Sequence, residues 1–335
     1  MKVGIIGSGT WGTALAQVLC DNGVDVLIYG KEANQIDDIN NNHKNSFYFG
    51  DKIKLPHTLR ATHNIEDVLK DREIILLSVP TFAMRSVLEQ IKSLLGEGKR
   101  IFINTAKGFE LDTQKSMSTL IREIIPEENR FPVVSLIGPS HAEEVIVRDL
   151  TCICAVCVEE IIAKTVASLF SNNYFRVYTN NDEVGAEIGV AMKNAIALAS
   201  GILEGLGYGD NARAALCTRG LAEIVRYGVS KGGKLETYLG LTGLGDLIVT
   251  CYSFHSRNFQ AGLEIGKANS AEEFLKNNKK TVEGINTVKT MYKISLKDKV
   301  ELPIITCLYM ILFENRKPSE VTRYLMSRPI KKEKN

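Results

Sequence analysis

The chain has 335 residues, 44% hydrophobic and 24% charged, which fits about two globular domains, each with a core of its own. A formal net charge of +2 is far too small to argue for a nucleic-acid or membrane-surface partner. Seven cysteines, an odd number scattered from Cys20 to Cys307, suggest no disulfide framework and fit a reducing cytosol.

The opening run, "MKVGIIG", reads as a strand with no secretory leader expected ahead of it. It leads into "IIGSGTWG", where Gly7, Gly9 and Gly12 match G-x-G-x-x-G between a strand and a helix, the context in which that spacing signals a dinucleotide. Gly7 permits the tight turn, Gly9 lets the backbone approach a pyrophosphate, and Gly12 lets helix and strand pack closely. The helix "TWGTALAQVLCDNG" ends at Gly23, and its first turn offers free N–H groups and a positive dipole end to phosphates. The second strand, "VDVLIYG", runs into "YGKE". An NAD site usually has an acid there to bind the ribose hydroxyls; here Gly30 takes that place. Lys31 is suited to a 2′-phosphate and Glu32 to a 2′-hydroxyl, so the pattern leans to NADP with NAD left open.

Further strands are expected at "REIILLSV", "RIFINTA", "FPVVSLIG", "TCICAVCV" and "YFRVYTN". Runs this apolar are buried on both faces, with the intervening segments as covering helices. The class is therefore α/β, a doubly wound, mostly parallel sheet. Cys152, Cys154 and Cys157 read as small hydrophobes of a buried strand, because no second Cys or His pair follows at zinc spacing; no metal is expected. Lys107, and the group Gly138, Ser140 and His141, fall at carboxyl ends of strands, where open α/β sheets bind ligands.

At "NNDEVG" the pattern changes. Asn180, Asn181 and Asp182 suit a helix N-cap, and helical periodicity then continues to about Leu325. This divides the chain into residues 1–182 and an all-α region, 183–335, whose last stretch, "RPIKKEKN", reads as a solvated tail. The first of these helices, Val184 to Leu203, is apolar or small almost throughout, yet Lys193 and Asn194 sit in its middle. With Glu187, Lys193 and three glycines it is a poor membrane span. Lysine is seldom fully buried, so either the stem snorkels or the interior needs a charge and a proton. Farther on, Asp246 follows the glycine-rich turn of "GLTGLGDLIVTC". Ser256, Arg257 and Asn258 put a guanidinium fork beside a hydroxyl, which suits a phosphate. The five histidines form no ligand or triad pattern.

Taken together, "GSGTWGTALA", "NTAKGFE", "IGPSHAEEV", "GVAMKNAIALASGILEGLGYGDNARAAL", "GLGDLIVTC", "HSRN" and "TVEGINT" resemble, in order and over nearly the full length, the bacterial NAD(P)-dependent sn-glycerol-3-phosphate dehydrogenase family. The resemblance implies a Rossmann-type domain followed by a helical domain, a cytoplasmic homodimer, and NAD(P)H-dependent reduction of dihydroxyacetone phosphate to sn-glycerol 3-phosphate for phospholipid synthesis. It also implies roles for particular residues. Lys193 is the acid–base lysine, with Asp246 orienting it. Lys107, Gly138, Ser140, Asn194, Asp246, Ser256, Arg257 and Asn258 line the substrate site. Thr10, Trp11, Lys31, Ala142, Thr281 and Glu283 join the glycines on the cofactor side, with Lys107 and Arg257 touching both ligands. His141 receives no catalytic role. Two rivals differ in chemistry: a β-hydroxyacid or 6-phosphogluconate-type dehydrogenase, with a carboxylate in place of the phosphate, and a non-catalytic dinucleotide sensor, which would not need Lys193, Asp246 and Arg257 together.

Overall fold

The computed structural model describes residues 1–278, 281–330 and 332–333. Lys331, Lys334 and Asn335 of the expected tail lie outside them. The chain divides into two compact units: Met1–Val190 with Gly232–Asp246, and Ala191–Lys231 with Leu247–Asn335. The division falls inside the helix Glu183–Gly205 rather than ahead of it, and a short later segment returns to the first unit.

The first unit is built on one eight-stranded sheet, ordered β3-β2-β1-β4-β5-β6-β7-β8. Its strands are β1 (Lys2–Ile6), β2 (Asp25–Tyr29), β3 (Arg60–Thr62), β4 (Ile74–Leu77), β5 (Ile101–Asn104), β6 (Val134–Ile137), β7 (Thr151–Val156) and β8 (Phe175–Asn180). Every pairing is parallel except β6 with β7, where Leu136 faces Ala155. Successive side chains point to opposite faces of a strand, and both faces here are apolar. Ile74, Leu76, Ile101 and Ile103 join one core, while Ile75, Leu77 and Phe102 join the other. That is why β4 and β5 read as unbroken hydrophobic runs.

One local expectation needs correction, and one strand lay outside the expected set. Cys154 and Cys157 are buried, but Cys152, near the start of β7, is exposed. Strand β3, "RAT", is too short and polar to register as a strand in the sequence; pairing with β2 makes it one. At the change of pattern, Asp182 Oδ1 accepts from the Gly185 amide at 2.9 Å, capping the long helix, while its Oδ2 accepts from the Lys234 amide at 2.8 Å.

All elements of the second unit are helices among the described residues. The helix Glu183–Gly205 has a length and composition that could cross a membrane, but 94% of its most apolar window is buried inside the protein. Small residues explain how it packs. A Cβ on Gly201 would collide with the carbonyl of Phe259, and one on Gly262 with the carbonyl of Leu198. The helix Arg257–Ala268 therefore approaches backbone to backbone, a spacing that any larger side chain would forbid.

Candidate active site

In the first unit the glycine-rich turn joins β1 to the helix Thr10–Asp21. Gly7 holds φ at 114°, and a Cβ there would press on the Ser78 carbonyl; on Gly12 it would meet the carbonyl of Gly7. The N-cap is Gly9, whose lack of a side chain leaves the first-turn amides of Thr10, Trp11 and Gly12 open to an anion. Trp11 Nε1 is buried without a hydrogen-bond partner among the described residues. This cradle fits the diphosphate of a dinucleotide. Lys31 and Glu32 are exposed just beyond β2, and Ala142 is buried at the start of the short helix Ala142–Val145.

The loop after β5 carries Lys107. Its ammonium donates to the Gly138 carbonyl at 2.6 Å and to Ser140 Oγ at 3.4 Å, and pairs with Asp246 Oδ2 at 3.1 Å. The Asp246 side chain is 1% exposed and that of Lys107 18%, so the carboxylate depends on this cation more than the cation depends on it. The same loop is braced by Glu110, which takes two bonds from the Arg85 guanidinium, at 2.7 and 2.9 Å. Those bonds hold the Glu110 carboxyl below its usual range, against the opposing effect of burial.

In the second unit Lys193 is 4% exposed and donates to Thr250 Oγ1 at 2.5 Å. An ammonium removed from water needs such acceptors to stay charged. Its neighbour Asn194 accepts from Asn258 Nδ2 at 3.0 Å, and Asn258 Oδ1 accepts from the Gly284 amide at 2.8 Å. Asn258 thereby links three helices, including Glu283–Asp298, at whose start Glu283 stands, with Thr281 two residues before it. Ser256 caps Arg257–Ala268 by accepting from the Phe259 amide at 3.2 Å, which leaves Arg257 exposed on the first turn. With no carboxylate paired to it among the described residues, a guanidinium at a helix N-terminus is a good receptor for a phosphate dianion.

The candidate residues thus form two clusters within the first unit and one within the second. Lys107, Gly138, Ser140 and Asp246 meet directly, as do Asn194 and Asn258. Sequence reasoning passed over Thr250, the acceptor for Lys193. Its signal was weak: a hydroxyl one helical turn after Asp246 in an apolar run. Among the described residues no group of three or more His, Cys, Asp or Glu is arranged to hold a metal.

A mostly parallel sheet with a phosphate-ready glycine turn, together with a buried lysine and a phosphate-ready arginine, defines a Rossmann-type dinucleotide-dependent dehydrogenase. Residues 2–163 match the NAD-dependent glycerol-3-phosphate dehydrogenase N-terminus, and residues 182–323 match the C-terminus of the same family. A glycerol-3-phosphate dehydrogenase (NAD(P)+) of Staphylococcus epidermidis is 47% identical over 332 residues, covering 99% of each chain. Its counterpart in Bacillus thuringiensis is 48% identical over 332 residues, covering 99% of this chain and 97% of the relative. The solved glycerol-3-phosphate dehydrogenase of Coxiella burnetii superposes with a TM-score of 0.90 at 32% identity, covering 98% of this chain and 99% of that one. The chain belongs to the NAD-dependent glycerol-3-phosphate dehydrogenase family. The carboxylate-substrate and sensor rivals give way to this membership.

Proposed function

We propose that the protein reduces dihydroxyacetone phosphate to sn-glycerol 3-phosphate, reversibly, with Lys193 as its proton donor. The observation that carries this reading is a buried ammonium, hydrogen-bonded to Thr250, in the middle of an otherwise apolar helix. When bound, the reduced nicotinamide supplies a hydride to the ketone carbon. Lys193 stabilises negative charge growing on the carbonyl oxygen and then delivers its proton there; in the oxidative direction the neutral amine takes the proton back. Asp246 is assigned to keep Lys193 charged and oriented. Ser256, Arg257 and Asn258 are assigned to the substrate phosphate, with Asn194 beside them. Lys107, Gly138 and Ser140 are assigned to the substrate, and Lys107 and Arg257 to the cofactor as well. Gly7, Gly9, Thr10, Trp11, Gly12, Lys31, Ala142, Thr281 and Glu283 are assigned to NADP or NAD, and residues 1–182 are read as the cofactor domain. We place the enzyme in the cytoplasm, as a homodimer without membrane insertion, feeding glycerophospholipid synthesis.

The test is turnover of Lys193→Ala, with Lys193→Met keeping the aliphatic stem. Loss of a general acid should lower kcat by about 10²-fold or more while dinucleotide binding is retained. Near-normal turnover in both variants would remove Lys193 from the mechanism.

A further inference from the structure

The glycine-rich turn is held by residues outside its own motif. The carbonyl of Ser8 accepts from Gln35 Nε2 at 2.6 Å, from Asn45 Nδ2 at 3.0 Å and from Thr13 Oγ1 at 3.2 Å. A peptide carbonyl offers two lone pairs, so this oxygen is saturated and its direction set. Asn45 is fully buried, 37 residues away from Ser8 in the chain, and spends every polar atom of its side chain on this cluster. Its Nδ2 also donates to Thr13 Oγ1 at 2.8 Å, and its Oδ1 accepts from Gln35 Nε2 at 3.0 Å. The Ser8 hydroxyl completes the ring by donating to Gln35 Oε1 at 2.7 Å, in space that a side chain on Gly30 would occupy.

Sterics alone do not hold this turn. A Cβ on Gly9 would have nothing within 4 Å, so packing around Gly9 does not fix the orientation of the Ser8–Gly9 peptide. In a trans peptide the C=O and the following N–H point in opposite directions. Locking the Ser8 carbonyl into the Asn45–Gln35–Thr13 cluster therefore also aims the Gly9 amide, at the N-cap of the helix that receives the anion. A flipped peptide would instead turn an oxygen, the negative end of its dipole, toward the phosphates.

We propose that Asn45, braced by Gln35, is a positioning residue for the dinucleotide diphosphate, acting through the Ser8–Gly9 peptide. This rests on the reading that the glycine turn binds NAD(P). Because the diphosphate is common to NADH and NADPH, the effect is independent of the 2′-phosphate.

The experiment is direct titration of the full-length protein with NADH and NADPH, followed by nicotinamide fluorescence, alongside steady-state kinetics. Asn45→Asp keeps the size and the acceptor but removes both donors. It should raise the Kd of both dinucleotides by the same factor, about tenfold. The kcat at saturating cofactor and the KM for dihydroxyacetone phosphate should stay within about twofold, since neither reports this contact. Gln35→Leu, at a half-buried position, removes one of the three bonds to the Ser8 carbonyl and should raise both Kd values by about threefold. A purely structural role would lower the melting temperature and leave Kd unmoved. Unchanged Kd in a folded Asn45→Asp, or in Gln35→Leu should the first fail to fold, overturns the inference. Loss of discrimination between the two dinucleotides in place of a common shift overturns it as well. A wild-type protein that binds neither dinucleotide would instead overturn the proposed function on which the inference rests.

Discussion

Methionine in place of Lys107 keeps the aliphatic stem and removes the charge, and the cost falls on Asp246. That carboxylate is 1% exposed and lies 3.1 Å from the Lys107 ammonium. Removing one partner of a buried pair takes that compensation from the other charge, which costs up to about 3–5 kcal/mol. Lys107 is itself partly solvated, so we expect the lower end, about 3 kcal/mol. Asp246→Asn should cost less, about 1 kcal/mol, because the ammonium retains the Gly138 carbonyl at 2.6 Å and reaches water. Were the two effects independent, the double variant would lose about 4 kcal/mol; with both members of the pair neutral it should lose about 2, a coupling of about 2 kcal/mol. Urea unfolding measured by tryptophan emission suits the purpose, since Trp11 is the single tryptophan and lies in the same compact unit as both residues. Single losses that simply add, to within about 0.5 kcal/mol, would refute the pairing as an energetic unit. The double variant should remain inactive even as its stability recovers, which separates the structural contribution of the pair from its proposed role at the substrate.

Arg257→Ala should raise the KM for dihydroxyacetone phosphate far more than that for dihydroxyacetone, by a ratio of about tenfold or more; equal effects on both ketones would remove the phosphate assignment. Lys31→Ala should raise the KM for NADPH by about three- to tenfold and leave that for NADH nearly unchanged, and the wild-type preference should shrink as salt rises. Parallel shifts for the two cofactors would make Lys31 an ordinary surface residue. Glu223 gives a pH dependence. Burial pushes its carboxyl from the usual 4.5 to about 7, although the amides of Ile304 and Ile305 oppose the shift. The folded form then keeps a proton that the unfolded form releases, so stability falls as pH rises from 4.5 to about 7. The loss attributable to this group is about 3 kcal/mol, and Glu223→Gln should flatten the curve in urea titrations between those limits; an unaltered slope would assign the dependence to other groups.

Much of the fold was legible in advance, for reasons the core makes plain. β4 and β5 contribute to two cores at once, so they had to be continuous apolar runs. The glycine turn was legible because Gly7 and Gly12 leave no room for a Cβ, and that demand is local. The helix start at Asp182 was legible as well, since a cap is satisfied within three residues. Lys193 stood out because a charge in an apolar helix breaks the pattern around it.

What stayed hidden in the sequence was partnership. Lys107 and Asp246 are 139 positions apart, Lys193 and Thr250 57, and Ser8 and Asn45 37. Periodicity reports which face of an element is buried, but it carries no record of what crosses that face. Asn45 sits in a polar stretch, "NNNHKNSFYFG", where nothing distinguishes it from the asparagines around it; only the folded chain buries that one and gives it three partners. Strand β3 is likewise a product of its neighbour, since three residues become a strand only when β2 supplies the hydrogen bonds. Local conformation follows from bonds a residue makes with its near neighbours, whereas a side chain's chemistry is set by whichever distant groups the packed core brings within about 3 Å of it.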